Sequence, residues 1–330
     1  MSAHGLIRRG PSAFLAGRAI NPIMERVDTQ RLMLLLMETP GIGPRALGAV
    51  LRRNAVARRT PEEFLALPAE VLRVEYGIRR DSAELLRRSR ERLLMEAEAS
   101  ARWLARAGVQ LVAEMDAAYP DRLRRRMDNP PPVLFAYGSH RVLERPLLAV
   151  ACSNGAPEEA LAAADRAVAA ALERGWSVVT GHNRLGYQRP ALACKRLGAP
   201  VLYVLDRGIA EGFGNDLTRE LFPAARIWGP AYDVQVDLTL TPFGLRCHGT
   251  HANNQRRDSL VFALADAVLA GHVRPGGKME AACLAVLASG RPVWTAGPWA
   301  DGLWEHGAAP LGTSDPWASP PRPERWAAGV

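Results

Sequence analysis

The chain has 330 residues, of which 48% are hydrophobic and 23% charged, so it is long enough for two domains and a sizeable core. No apolar run approaches the roughly 20 residues of a membrane span, and the four cysteines contain no CxxC pair. This composition argues against a membrane protein, a disulfide framework and a zinc site, and it favours the reducing cytoplasm.

The net charge of +8 lies entirely in the first part of the chain. Residues 1–145 hold 25 arginines against 17 acidic residues, whereas residues 146–330 are balanced. A basic surface is typical of a protein that binds nucleic acid. Because only two of the 42 basic residues are lysines, Lys195 and Lys278, a bias in coding composition is the alternative explanation.

The apolar pattern divides the chain into a helical part and an α/β part. Residues 1–27 are predicted to be a flexible extension, and residues 28–115 a helical domain that includes a long amphipathic helix. Residues 116–146 read as a connector with a strand at 133–137. Residues 147–308 alternate strands with helices, which predicts a doubly wound sheet. Residues 309–330 are predicted to be an irregular tail.

The strands of the α/β part are short apolar runs. They are predicted at 147–152, 177–180, 201–205 and 225–228, with another ending near Leu269 and a last one at 292–295.

A glycine hairpin, Gly41-Ile42-Gly43, precedes a helix in the helical part. Such a turn exposes backbone N–H groups at a helix N-terminus and can hold a phosphate, as in a helix-hairpin-helix element. Gly41, Gly43 and Arg45 are therefore candidate phosphate contacts. The alternative is a hairpin that only sets the packing of the helices.

The most informative stretch is residues 149–181, which reads as strand, small-residue turn, helix and strand. A unit of this kind is parallel and right-handed, so its ligand belongs at the carboxyl ends of the strands. The residues there are Ser153–Gly155 and Thr180–His182, which we expect to lie side by side.

Several sequence blocks occur in an order that resembles the DprA/Smf family of DNA-processing proteins. They are the Gly-Ile-Gly hairpin, AGVQLVAEMDAAYPDRL at 107–123, DNPPPVLFAYGS at 128–139 and ALACKRLGAPVLYVLDRGI at 191–209. The resemblance implies an extended Rossmann-like, doubly wound, mostly parallel sheet preceded by a small all-α helix-hairpin-helix/SAM-like domain. It also implies a cytoplasmic homodimer that binds single-stranded DNA without sequence preference and passes it to the RecA recombinase in natural transformation.

The resemblance implies no catalytic residue, cofactor or metal. Members with a C-terminal winged-helix domain are common, and none is expected in the last 20 residues here. The positions that match the family's DNA-contacting motifs are Ser153, Asn154, Gly181, Arg184, Arg256, Arg257, Gly276, Gly277 and Lys278. Asn154 stands where the family has an arginine, so weaker binding is expected, and Lys278 is expected to restore a charge lost elsewhere in the site.

An alternative function follows from the loop Pro275-Gly276-Gly277, which resembles part of the phosphate loop of nucleoside-monophosphate phosphoribohydrolases. The chain would then be a nucleotide sensor, or a hydrolase with Glu280 as its single candidate carboxylate.

The remaining polar residues are predicted to have mainly structural roles. Cys247, His248 and His251 are predicted to form a loop and not a metal site, because no fourth ligand has suitable spacing. His182 is either a crevice residue or a hydrogen-bonded strut, and Lys195 is predicted to lie on a solvated helix face.

Overall fold

The structure, a computed structural model, describes residues 22–221, 232–312 and 316–317. Its helices are α1 (Pro22–Met37), α2 (Pro44–Ala57), α3 (Pro61–Leu65), α4 (Ala69–Val74), α5 (Arg80–Arg88), α6 (Arg90–Ala107), α7 (Asp121–Arg126), α8 (Glu158–Glu173), α9 (Leu185–Arg196), α10 (Ile209–Phe213), α11 (His251–Leu264) and α12 (Lys278–Ala288). Two 3-10 helices cover His140–Glu144 and Pro298–His306. The strands are β1 (Gln110–Ala113), β2 (Val133–Gly138), β3 (Leu147–Cys152), β4 (Ser177–Thr180), β5 (Val201–Val204), β6 (Leu238–Thr241), β7 (Ala267–His272), β8 (Val293–Thr295) and β9 (Ala309–Pro310).

The strands described here form one sheet in the order β1-β2-β6-β5-β4-β3-β7-β8-β9. The pairs β1–β2 and β2–β6 are antiparallel, and all other pairs are parallel. The predicted fold class, a doubly wound and mostly parallel α/β sheet, is confirmed.

Strand β3 is covered by helices on both faces of the sheet, which explains its continuous apolar sequence. Leu147, Ala149 and Ala151 belong to the core on the face covered by α11 and α12. Leu148 and Val150 belong to the core on the opposite face, beneath α8 and α9. Because successive side chains of a strand point to opposite faces, a strand covered on both sides has to be apolar at every position.

The direction of winding reverses beside β3. From β3 the chain continues through α8 to β4 and through α9 to β5, whereas β7 lies on the other side of β3 and leads through α12 to β8. The helices after β3 and after β7 therefore diverge onto opposite faces and leave a crevice between the carboxyl ends of these two strands.

The helical part shares its core with the sheet. Apolar residues of α1, α2 and α6 pack in one cluster with Val133 and Phe135 of β2 and with Leu205, Ile209 and Leu245 of the α/β part. Strand β1 falls inside the predicted helical range 28–115, and β2 and α7 inside the predicted connector 116–146. A truncation at residue 115 would thus remove an edge strand and uncover apolar side chains of the sheet.

Some predicted boundaries differ in the structure. The strand predicted at 225–228 lies outside the described residues. The strand predicted as the last one, near 292–295, is β8, and β9 follows it inside the predicted irregular tail, pairing Trp294 with Ala309. Trp317 is also buried there, with its ring 4.8 Å from that of Trp294. Helix α1 begins within the predicted extension 1–27, of which residues 1–21 lie outside the described residues.

No helix in the described part of the chain is long and apolar enough to cross a membrane.

Candidate nucleic-acid interface

A pocket of about 370 Å³ lies at the crevice between the carboxyl ends of β3 and β7. Its lining comes from the turns after β3, β4 and β7 and from the starts of α11 and α12. The lining residues are Cys152, Ser153, Asn154, Arg184, His251, Asn254, Gln255, Asp258, Arg274, Gly276, Gly277, Lys278 and Met279. Six of the predicted contacts are among them, although they come from three separate stretches of the sequence.

The turn after β3 is held against the loop after β7 by two hydrogen bonds. The backbone N–H of Ser153 donates to the carbonyl of His272 at 2.8 Å, and the Ser153 hydroxyl accepts from the N–H of Arg274 at 3.1 Å. The neighbouring thiol of Cys152 is half-buried, and burial raises its pKa to about 11. Cys152 therefore stays protonated at neutral pH and is no nucleophile.

Three cations, Arg184, Arg274 and Lys278, line the pocket. Arg184 Nη1 lies 3.4 Å from the amide oxygen of Asn154, and Lys278 Nζ lies 3.0 Å from His251 Nε2. None of the three forms an ion pair with a carboxylate of the described residues. Their charge is thus available to an anionic ligand, and phosphate oxygens are the natural partners of such cations.

The first residues of α11 and α12 form the rest of the pocket wall. The Thr250 hydroxyl accepts from the N–H of Asn253 at 3.1 Å and so begins α11 with His251 at the pocket. Gly277 precedes α12, and Gly276 has a φ of +69°, in the left-handed region that favours glycine. The positive end of α12 therefore opens at the pocket, which favours a negative ligand.

Arg257 lies beneath the pocket and is fully buried, with 0% of its surface exposed. Its guanidinium donates to Asp258 at 2.7 Å, to Asn183 at 3.1 Å and to Asn254 at 3.0 Å. Its Cζ also lies 4.5 Å from the centre of the Tyr187 ring. Full burial keeps Arg257 from the pocket surface, and three of its five N–H groups are engaged within the protein, so its contact with DNA stays a prediction.

Gly181 makes room for the buried guanidinium of Arg257. A Cβ at this position would lie 2.4 Å from Arg257 Nη1, so only glycine allows the end of β4 to approach the guanidinium. Gly181 is itself buried and does not line the pocket. The sequence predicts a crevice between the ends of β3 and β4, whereas in the structure the buried residues around Arg257 fill the end of β4 and the pocket opens between β3 and β7.

Two other predicted contacts also lie away from the pocket. Arg256 is half-buried and donates through Nη2 to the carbonyl of Asn129 at 2.8 Å. Arg45, at the start of α2 in the helical part, is exposed.

The hairpin glycines differ from each other. Gly41 has a φ of +82°, and a Cβ there would lie 2.5 Å from the Ser82 hydroxyl, which donates to the carbonyl of Pro40 at 3.0 Å. Nothing lies within 4 Å of a Cβ built at Gly43. Gly41 is therefore required by its backbone conformation and by the close approach of Ser82, whereas Gly43, at the start of α2, has neither constraint.

Sequence reasoning missed Arg274, Asn254 and Gln255 as lining residues. Arg274 stands immediately before the Pro275-Gly276-Gly277 loop, which was the signal that could have identified it.

Lys195 was predicted on a solvated face, and this was wrong. It is 9% exposed and forms an ion pair with Asp237, which is itself fully buried. The carboxylate of Asp237 also accepts from the N–H groups of Val201 at 3.1 Å and Asp233 at 2.9 Å. This pair thus holds the end of α9 to the starts of β5 and β6.

His182 is a buried residue next to Asp206, with 3.6 Å between Nε2 and Oδ1. Burial lowers the pKa of His182 and outweighs the opposite effect of Asp206. As the pH falls, His182 is therefore protonated in the unfolded chain before it is protonated in the folded protein. The folded state keeps its full free energy of unfolding above about pH 6.5 and loses part of it as the pH falls below that value.

We expect the free energy of unfolding to decrease by about 1 kcal/mol from this histidine between pH 7 and about pH 5.5, as measured by urea denaturation. The variant His182→Gln should lose most of this dependence, while His140, whose pKa burial also lowers, remains as background. An identical pH profile in the variant would contradict the assignment.

Comparison with known proteins agrees with the fold and with the family resemblance of the sequence. Residues 110–189 match the family model of DNA recombination-mediator protein A. No curated protein matches the chain. DNA processing protein A (DprA) from Streptococcus pneumoniae has a similar structure, with 18% identity and a TM-score of 0.62 over 85% of this chain and 94% of that chain.

DNA processing protein A from Helicobacter pylori, whose structure concerns its single-stranded DNA binding mode, is 13% identical with a TM-score of 0.48 over 62% of this chain and 91% of that chain. The expected resemblance is confirmed: the chain has the fold of DprA, and its residues 110–189 match the family model of DNA recombination-mediator protein A.

Proposed function

We propose that this protein binds single-stranded DNA without sequence preference at the pocket between β3 and β7. The observation that carries the proposal is the assembly of Ser153, Asn154, Arg184, Gly276, Gly277 and Lys278 around one pocket. The fold brings these positions together at the place where doubly wound sheets bind their ligands.

The chemistry of the pocket favours the phosphate backbone over the bases. Arg184, Arg274 and Lys278 provide positive charge, and the start of α12 adds the positive end of a helix dipole. The amide of Asn254 is occupied, because its oxygen accepts from Arg257 and Asn183 and its nitrogen donates to the carbonyl of Thr250. Contacts to phosphates position a strand but carry no sequence information.

The hydrolase alternative would need a carboxylate that faces the ligand. Glu280 accepts from the N–H of Gly276 at 2.7 Å, and Asp258 accepts from Arg257 and from the Tyr187 hydroxyl at 2.7 and 2.6 Å. Both carboxylates beside the pocket therefore serve the protein itself. This favours binding over catalysis.

We expect a fluorescent single-stranded oligonucleotide to bind, with an affinity that falls about 20-fold between about 50 and 200 mM salt if three phosphates are contacted. Fluorescence anisotropy with strands of several sequences measures both the salt slope and the lack of sequence preference. Failure of the folded protein to bind at 50 mM salt would refute the proposal, and a shift of thermal stability by nucleoside monophosphates alone would favour the nucleotide alternative.

The cations of the pocket can be tested one at a time. Lys278→Ala and Arg184→Ala should each lower the affinity and reduce the salt slope by about 0.7, the value for one contact to a single strand. Arg166→Ala is the matched control, because Arg166 is exposed on α8 and lines a different groove. An equal loss in all three variants would indicate a general charge effect without a defined site.

The finer parts of the function are proposals of the same kind. We propose that the protein passes bound DNA to the RecA recombinase, which is tested by the rate of RecA assembly on single-stranded DNA with and without the protein. We propose a homodimer, which sedimentation measures directly. We also propose that it acts in the cytoplasm, where its four cysteines, all of them unpaired in the structure, stay reduced.

A further inference from the structure

A carboxylate of the protein already occupies part of the glycine loop at the pocket. The N–H of Gly276 donates to Glu280 Oε2 at 2.7 Å. Glu280 is the third residue of α12, and a carboxylate there usually accepts from the N–H of the residue before the helix. In this chain that N–H, from Gly277, donates to the carbonyl of Arg274 at 3.1 Å, so Glu280 reaches one residue further back.

The charge of Glu280 is not neutralised by an ion pair with a cation of the described residues. Glu280 does not line the pocket itself, but its carboxylate accepts from Gly276, which does. It therefore places a negative charge beside a pocket whose cations are Arg184, Arg274 and Lys278. The carboxylate also lies at the positive end of α12, which is the place that a phosphate would favour. Glu280 and an incoming phosphate thus compete for the same N–H group and the same helix dipole.

We propose that Glu280 is a specificity-determining residue that acts as an internal competitor of phosphate and excludes isolated anions from the DNA site. This inference rests on the proposed function. A single phosphate has to displace the carboxylate, or bear its repulsion, at one position. A DNA strand can place its phosphates on the neighbouring cations, farther from the carboxylate, and therefore bears less of this cost. The pocket therefore selects a polyanionic strand over free phosphate or a mononucleotide.

Glu280→Gln tests this role, because the glutamine oxygen can still accept from Gly276 while the charge is removed. We expect the affinity for inorganic phosphate, followed by calorimetry, to rise about five-fold, and the affinity for a single-stranded oligonucleotide to rise by less. An equal gain for the two ligands would contradict a role of Glu280 in specificity. Glu280→Ser, which is also neutral and suits a first helical turn, should show the same gains.

The matched control is Glu91→Gln. Glu91 is exposed in the first turn of α6 in the helical part, and its substitution changes the net charge equally. This variant should leave both affinities unchanged. If both Glu280 variants bind DNA and phosphate no better than the control, while the wild-type protein binds DNA, Glu280 only caps α12 and the inference is wrong. If the wild-type protein binds no DNA, the proposed function fails, whereas the phosphate titration still reports on Glu280.

Discussion

Replacing Arg257 by alanine should lower the free energy of unfolding by about 3 to 5 kcal/mol, the range for removing one partner of a buried charged network. The side chain is completely buried, and it donates to Asp258, Asn183 and Asn254. Without the guanidinium, each of these acceptors loses one hydrogen bond, and the volume of a fully buried side chain is left empty beneath the pocket. The Tyr187 ring also loses the cation that lies over it.

Urea denaturation of Arg257→Ala beside Arg256→Ala measures this effect on adjacent residues of one helix. Arg256 is half-buried and makes a single hydrogen bond, to the carbonyl of Asn129, so its loss should cost only about 1 kcal/mol. A stable Arg257→Ala protein that no longer binds DNA would instead mean that Arg257 contacts phosphate directly, as the sequence motif first indicated.

Asp266→Ala should have an effect of similar size, about 3 to 5 kcal/mol. The side chain of Asp266 is 6% exposed and stands just before β7. It accepts from Arg122 at 3.0 and 2.7 Å, from Arg126 at 2.9 Å and from the N–H of Leu147 at 3.0 Å. One carboxylate therefore joins α7 to the starts of β3 and β7, the two strands that hold the pocket.

The matched control for Asp266→Ala is Asp121→Ala. Asp121 also contacts arginines of α7, namely Arg124 and Arg125, but these pairs lie at the surface. Exposed ion pairs contribute about 0 to 1 kcal/mol, so the control should change the urea midpoint little. If Asp266→Ala and Asp121→Ala lowered the free energy of unfolding equally, the buried arginine contacts of Asp266 would be no stronger than the exposed ones of Asp121.

The α/β elements could be predicted because their signals are local. The run Leu147–Cys152 and the turn Ser153–Gly155 appear in the structure as β3 and the turn that follows it. A strand buried on both faces needs a continuous apolar run, and such a run is visible directly in the sequence. The edge strands were harder. Strand β9 has two residues, and β1 follows directly on the helical periodicity of α6.

The candidate site was predictable in part for the same reason. Glycine loops and strand ends mark the carboxyl edge of a sheet, so Ser153 and Gly276 were found from the sequence. Arg256 and Arg257 could not be told apart, because adjacent helix residues point in directions about 100° apart and only the packed neighbours decide which one is buried. Lys195 was misjudged since its partner Asp237 lies 42 residues away in the chain.

The sequence by itself determined the alternation of strands and helices, the glycine turns and the family resemblance, because each depends on residues that are close together in the chain. Only the tertiary structure decided that the pocket opens between β3 and β7, that Arg257 supports it from below and that Glu280 occupies its glycine loop. Burial and ion pairing are properties of neighbours in space. The order of strands in the sheet, which places β7 beside β3, sets those neighbours.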